Sequence, residues 1–272
     1  MVTLSWMLPA AEAAPLLTRV PSLYFCNVND VLLTGLVLAF AQWQVSRGRG
    51  DDPSLLVDLE EHGRQDITDG VELSRTVGWF SSIYPARLDA GNTDGRPVGD
   101  VLKQVKEQLR AIPDNGIGYG LLRHLHPHTG DRLAQLPRPQ VMFRSLSVLP
   151  ASSGADWTMT EETGALAEGS DELMPLQYAL SIDITTQDTV GGPQLTITLA
   201  WPRELLAEGD VRELGDAWIA ALNSLADHVD DPSAGGRTPP TCPWSPSLRA
   251  KWTTLSSSCF SDQSRARRRC SR

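Results

Sequence analysis

The sequence predicts an α/β fold: a mixed sheet with helices packed on it as a two-layer sandwich. Apolar residues recur at helical spacing in some stretches and alternate with a period of two in others, and the two kinds interleave without any internal repeat. Composition agrees, since 41% hydrophobic and 21% charged residues are ordinary globular usage for 272 residues.

The elements follow in chain order. Thr3-Leu-Ser-Trp6 reads as the middle of a strand or connector. Val28, Leu32, Leu36, Phe40 and Trp43 lie at helical spacing, with Asn27 or Asn29 as the cap and a turn from Arg47 to Gly50 as the stop. From Ser54 to His62 the chain alternates: Leu55, Val57 and Leu59 point one way, and Leu56, Asp58, Glu60 and His62 the other, so Glu60 and His62 are expected to share a face until Gly63 ends the strand. Gln65 to Asn92 mixes Trp79, Phe80 and Tyr84 with turn formers and reads as an ordered loop over the core. Val98, Val101, Leu102, Val105, Leu109 and Ile112 predict a helix stopped by Pro113. A glycine-rich turn, Asn115 to Gly120, leads into a short helix that Pro127 is expected to end. Strands are predicted over 140–149, 176–186 and 194–201, with Tyr178, Leu180, Ile182 and Ile184 on one side. Asp210 is expected to cap a last helix that buries Val211, Leu214, Trp218, Leu222, Leu225 and Val229, and the ordered fold is expected to end near Asp231.

Charge narrows the function classes. The net charge of -9 hides an asymmetry: from Arg237 onward eight basic residues face one acid, Asp262, so the body before it is strongly acidic. Phosphate binding needs clustered positive charge, so no nucleic-acid partner is expected. The apolar stretch Val31 to Ala41 is too short to cross a bilayer, and Met1 to Pro15 lacks the basic start of a signal peptide. No membrane partner and a cytoplasmic location follow as expectations. Cys26, Cys242, Cys259 and Cys270 show no C-x-x-C spacing, which supports neither a zinc site nor a disulfide framework. His124, His126 and His128 straddle Pro127 with only Asp131 nearby, and no metal site is expected there. Gly116, Gly118 and Gly120 lack the spacing of a dinucleotide loop.

Several segments, in order, carry a resemblance. Asn29-Asp-Val-Leu-Leu33 opens a helix; Glu60-Glu-His-Gly-Arg-Gln65 follows a strand; then come Arg75-Thr-Val-Gly-Trp-Phe80, Tyr84-Pro85 with Leu88, and Asn115-Gly-Ile-Gly-Tyr-Gly120. This series resembles the signature motifs of epimerization-type domains of nonribosomal peptide synthetases, members of the condensation-domain family with a chloramphenicol acetyltransferase-like fold. The Arg75 and Gly116 segments are the two that separate the epimerization branch. The agreement runs from Asn29 to about Gly236, so residues 1–236 are expected to be the C-terminal lobe of such a domain. The family's His-His-x-x-x-Asp-Gly motif, normally in the preceding lobe, does not occur in the chain, which is expected to begin after it.

The resemblance implies inversion of Cα in an aminoacyl or peptidyl group presented as a thioester on the 4′-phosphopantetheine of a carrier protein, with no cofactor bound by the chain itself. Glu60 is then the acid/base; a lone Glu at a strand end is ordinarily just a solvated carboxylate. His62 and Arg64 shape its motif, the imidazole bonding nearby backbone and Arg64 forming an internal ion pair. Arg75, Trp79, Phe80, Tyr84, Gly118, Tyr119, Gly120 and Phe143 line the substrate tunnel or support the motifs. The expected partners are a carrier protein and the absent N-terminal lobe, in trans. Alone, the chain is expected to be inactive, with a carrier-docking lobe or gene remnant as the alternative reading.

Three departures from the family stand out: Glu61 replaces Gly, Gln65 replaces Glu, and Phe143-Arg-Ser-Leu-Ser147 stands where the family has Phe-Asn-Tyr-Leu-Gly. Residues 237–272, rich in Pro, Ser, Arg and Cys, read as a disordered basic tail. Thr241 to Leu248, read one base earlier, can restore the family's usual continuation, so a reading-frame shift is expected near Pro240.

Overall fold

The computed structural model describes residues 1–49, 52–64, 73, 75–149, 176–232 and 234–238, without the side chains of 146–149. Met1–Gly235 forms one compact unit and Gly236–Arg272 a second, nearly all of which lies outside the described residues, as do Gln65 and the expected frame shift near Pro240.

Six strands, β1 (Val2–Leu8), β2 (Leu55–Glu61), β3 (Ser82–Leu88), β4 (Val141–Leu149), β5 (Leu180–Thr189) and β6 (Gly192–Trp201), form one sheet in the order β1-β6-β5-β4-β2-β3. The β5/β4 and β4/β2 pairs are parallel and the rest antiparallel, giving the mixed α/β sandwich the sequence predicts. One face carries Leu8, Leu55, Val57, Leu59, Tyr84, Phe143, Ile182, Ile197 and Leu199, all buried. That face is covered by α3 (Val28–Ser46) and α4 (Val98–Arg110), with α7 (Glu208–Asp227) packed along α3.

Helix α3 starts on a reciprocal capping box in which Asn27 and Asp30 satisfy each other's backbone N–H. Val31 to Val37 is buried all round because α3 lies between the sheet and α7. At 19 residues it is long and apolar enough to cross a membrane by length, unlike the shorter stretch read from the sequence, yet here its apolar surface is spent on core packing. Gly35 permits the α3–α7 contact: a β-carbon there would sit 2.8 Å from Leu222 Cδ2 and 3.0 Å from Trp218 Cδ1. Trp218 Nε1 donates to the Leu32 carbonyl at 3.0 Å across the same contact.

The structure corrects several expectations. Ser82–Leu88 is a strand within the segment read as a loop; Pro85 is tolerated because β3 lies at the sheet edge and needs donors on one side only. Residues 10–24, unassigned from sequence, form α1 (Ala10–Ala14), a π-helical turn (Pro15–Arg19) and α2 (Val20–Tyr24), burying Ala13, Leu16, Val20 and Tyr24. The final helix is capped at Ala207, and Asp210 sits inside its first turn bound to Arg47 at 2.6 Å. Pro127 ends α5 (Tyr119–His124) but also opens α6 (Pro127–Ala134), since a first-turn proline has no N–H to lose. Tyr178 precedes β5 rather than alternating within it.

Candidate functional site

Alternation along β2 sends Glu60 to the face of the sheet away from α3 and α4. It is half-buried and lies in one row with Arg144 of β4 and Asp183 of β5. Arg144 grips Asp183 through two bonds, Nε to Oδ1 at 2.6 Å and Nη2 to Oδ2 at 3.0 Å. This paired geometry raises the Arg144 pKa, with the Glu60 carboxylate adding a smaller push in the same direction. One row away, the Tyr178 hydroxyl donates to Asp58 Oδ2 at 2.9 Å. Burial pushes Asp58 above the usual carboxylate range against that hydrogen bond, and burial together with Asp58 pushes Tyr178 up. Glu60 accepts no hydrogen bond among the described residues, which leaves its oxygens available to a substrate. A proton-transfer group beside a fixed guanidinium can move a proton at a carbon acid and hold the charge that develops.

The strand ends at Glu61, so His62 does not share Glu60's face as the alternation predicted. Glu61 points to the helical side, where it lines a cavity of about 440 Å³ with Asn29, Asp30, His62, Tyr84, Arg110 and Asn115. Asn29 Nδ2 reaches Glu61 Oε1 at 3.4 Å, and burial pushes the carboxyl up. Burial also raises Asp30, offset by the Asn27 backbone N–H at 2.8 Å. Tyr84, 5% exposed, has its hydroxyl pKa raised by burial and then by Glu61 and Asp30.

The turn after β2 is built by close contacts. His62 Nδ1 accepts from the Arg64 backbone N–H at 3.0 Å. The Arg64 guanidinium donates to the carbonyls of Leu73 and Gly78 and lies 4.5 Å over the Phe80 ring; the next acids after it in sequence, Asp66, Asp69 and Glu72, lie outside the described residues. A planar, five-donor cation suits such a loop because it can bond two carbonyls and stack at once. Gly63, at φ +64, lets the Phe80 carbonyl occupy the space a β-carbon would fill. Arg75 is exposed, and Trp79 is 88% exposed with Val77 beside it at 99%, so this stretch is not core.

The other predicted residues separate. The tight turn falls at Asp114, Asn115 and Gly116, all with left-handed φ, whereas Gly118 and Gly120 have open space around them. Tyr119 opens α5 and lines a cleft of about 490 Å³ with Pro85, Arg87 and Arg123, at the opposite end of β3 from Glu60's partner Ile83. Phe143 pairs with Leu59 and is buried in the core, on the other side of the sheet from Glu60. His126 is the α6 cap, accepting from the Thr129 N–H at 3.3 Å, and no three metal-ligating side chains cluster among the described residues. Sequence reasoning passed over Asp58, Tyr178 and Asp183 as site residues. The alternation that places Glu60 also places Asp58 and Asp183, but it sets Tyr178 on the side of Leu180 and Ile182, whereas Tyr178 precedes β5 and its hydroxyl reaches Asp58.

The family profile described as Condensation domain matches residues 2–240. The chain is 31% identical over 234 residues to tyrocidine synthase 1 of Brevibacillus parabrevis, covering 84% of this chain and 21% of that protein. It is 34% identical over 227 residues to surfactin synthase subunit 1 of Bacillus subtilis (strain 168), covering 83% of this chain and 6% of that one. The chain thus spans a small part of these relatives. Among solved structures, the epimerization domain from the third module of tyrocidine synthetase B superposes with a TM-score of 0.66 at 29% identity, over 84% of this chain and 48% of that domain.

Proposed function

Because the chain belongs to the condensation-domain family of nonribosomal peptide synthetases, we propose that it is the C-terminal lobe of an epimerization-type domain, acting on an aminoacyl or peptidyl thioester carried on phosphopantetheine. The observation that carries this is Glu60, in its Glu60-Glu-His-Gly-Arg64 segment, standing on the polar sheet face beside Arg144 with no hydrogen bond among the described residues. The thioester acidifies Cα; Glu60 takes its proton, and a donor on the opposite face, supplied by an N-terminal lobe, returns one to give the inverted centre. The likeness to the tyrocidine synthetase epimerization domain and the Arg75 to Phe80 and Gly116 to Gly120 segments support the epimerization branch over plain condensation. The chain needs no resident cofactor on this reading.

A second reading, a carrier-protein docking lobe without catalysis, is favoured by exposed apolar side chains: Leu121 and Leu122 on α5 and Leu125 just after it. Loading a carrier protein with an L-aminoacyl group in deuterated water separates the two. Deuterium at Cα, and D-product once an N-terminal lobe is added, supports the first; binding without exchange supports the second.

A further inference from the structure

We infer that Arg144 is a catalytic residue of this site, donating hydrogen bonds to the thioester oxygen as it becomes anionic, while Asp183 holds the guanidinium in position and off Glu60. The inference rests on the epimerization reading. It starts from a departure: Arg144 stands where the resemblance leads one to expect Asn, so a neutral amide has been replaced by a fixed cation.

The row Glu60, Arg144, Asp183 runs across three neighbouring strands, which lie about 4.8 Å apart. Left between two carboxylates, a guanidinium would pair with either. Here it is committed to Asp183 by the two bonds at 2.6 and 3.0 Å, and Glu60 carries no ion pair among the described residues. The base therefore stays free to accept a proton. Arginine has five N–H donors; Asp183 takes two, and the others have no partner among the described residues. The side chain is 41% exposed, so those donors are reachable from the open face. Arg87, on the same face, is paired with Asp52 and lies opposite Leu56, a full four residues along the strand from Glu60.

The step balances with these groups alone. The Cα–H bond breaks and its proton passes to a Glu60 oxygen. The bonding pair forms Cα=C, and the carbonyl π pair moves onto oxygen, where Arg144 donates hydrogen bonds without losing a proton. Reversal, after Glu60 exchanges with the solvent, returns a deuteron to Cα. A donor already fixed before charge develops is effective because it needs no reorganisation.

The test uses the full chain with the N-terminal half of the tyrocidine synthetase B epimerization domain added, an L-aminoacyl carrier protein as substrate, and Cα deuteration as the readout. Arg144→Met should lower the turnover of exchange by about a hundredfold or more with KM for the carrier unchanged. Arg144→Asn, which keeps neutral donors, should fall between. Asp183→Ala should also slow exchange, because the released guanidinium pairs with Glu60. Should Arg144→Met fail to fold, Arg144→Lys serves: it keeps the charge, loses the fork, and should lose about tenfold or more. Folded Arg144→Met or Arg144→Lys exchanging at the unsubstituted rate overturns the inference alone. No exchange by the unsubstituted protein overturns the epimerization reading, and the inference with it.

Discussion

The ring of Tyr84 occupies the space a β-carbon on Gly116 would need, with Tyr84 Cγ and Cδ1 each 2.1 Å from that position. The two residues come from segments 32 positions apart in sequence, and their contact fixes the glycine-rich turn against β3. Gly116 also has φ +77, so it is required twice, by conformation and by space.

Gly116→Ala should therefore destabilise the protein by more than about 2 kcal/mol. Gly118→Ala, at φ -77 with open space around it, should change stability by less than about 1 kcal/mol. Denaturant midpoints for the pair check this, and equal effects would show that the turn is not built on the Tyr84 contact.

Gly63→Ala places a β-carbon on the Phe80 carbonyl and meets φ +64. The bridge from the end of β2 to the Phe80 segment should open, and limited proteolysis between residues 62 and 80 should speed up at least several-fold. Unchanged cleavage would contradict the arrangement.

Glu61 gives a pH prediction. Burial raises its folded pKa above the unfolded value, so the folded state holds the proton more tightly. Its contribution to stability is fully present below the unfolded pKa, near 4.3 by the usual approximate figure, and is lost as pH rises through the folded value. Glu61→Gln should remove that component, so the variant should gain stability relative to the parent as pH rises above the unfolded value of about 4.3. Asn29, Asp30, His62, Tyr84 and Arg110 face the same cavity, so the comparison is between the two proteins at each pH. Parallel stability curves would contradict the assignment.

Phe143→Ala should cost about 3–5 kcal/mol through the cavity it leaves in the core. Phe143→Leu should leave Cα exchange near the parental rate, because residue 143 faces the helices and Glu60 the other side. Calorimetry and the exchange assay give the two numbers.

Much of this architecture is legible in the sequence because periodicity reports burial. Leu55, Val57 and Leu59 declare β2, and Val211 to Leu225 declares α7. The signal fails where another force decides. β3 holds a proline and follows Trp79 and Phe80 among turn formers, and reads as a loop until its place at the sheet edge is known. Residues 10–24 bury small and large apolar residues through a π-helical turn that no simple period describes. At the site, alternation finds Glu60 but runs one residue too far, to His62, because the strand ends at Glu61. Arg144 was legible only as a departure from family pattern; its meaning depends on Asp183, 39 positions on and brought beside it by the parallel pairing of β4 and β5.

The central claim is that Glu60 transfers the Cα proton. The most direct measurement is Cα deuterium incorporation into an L-aminoacyl carrier-protein thioester, with the N-terminal lobe supplied, comparing the parent with Glu60→Gln. The parent should incorporate deuterium, and folded Glu60→Gln should lose at least about a hundredfold of that rate. Exchange by folded Glu60→Gln at the parental rate would contradict it.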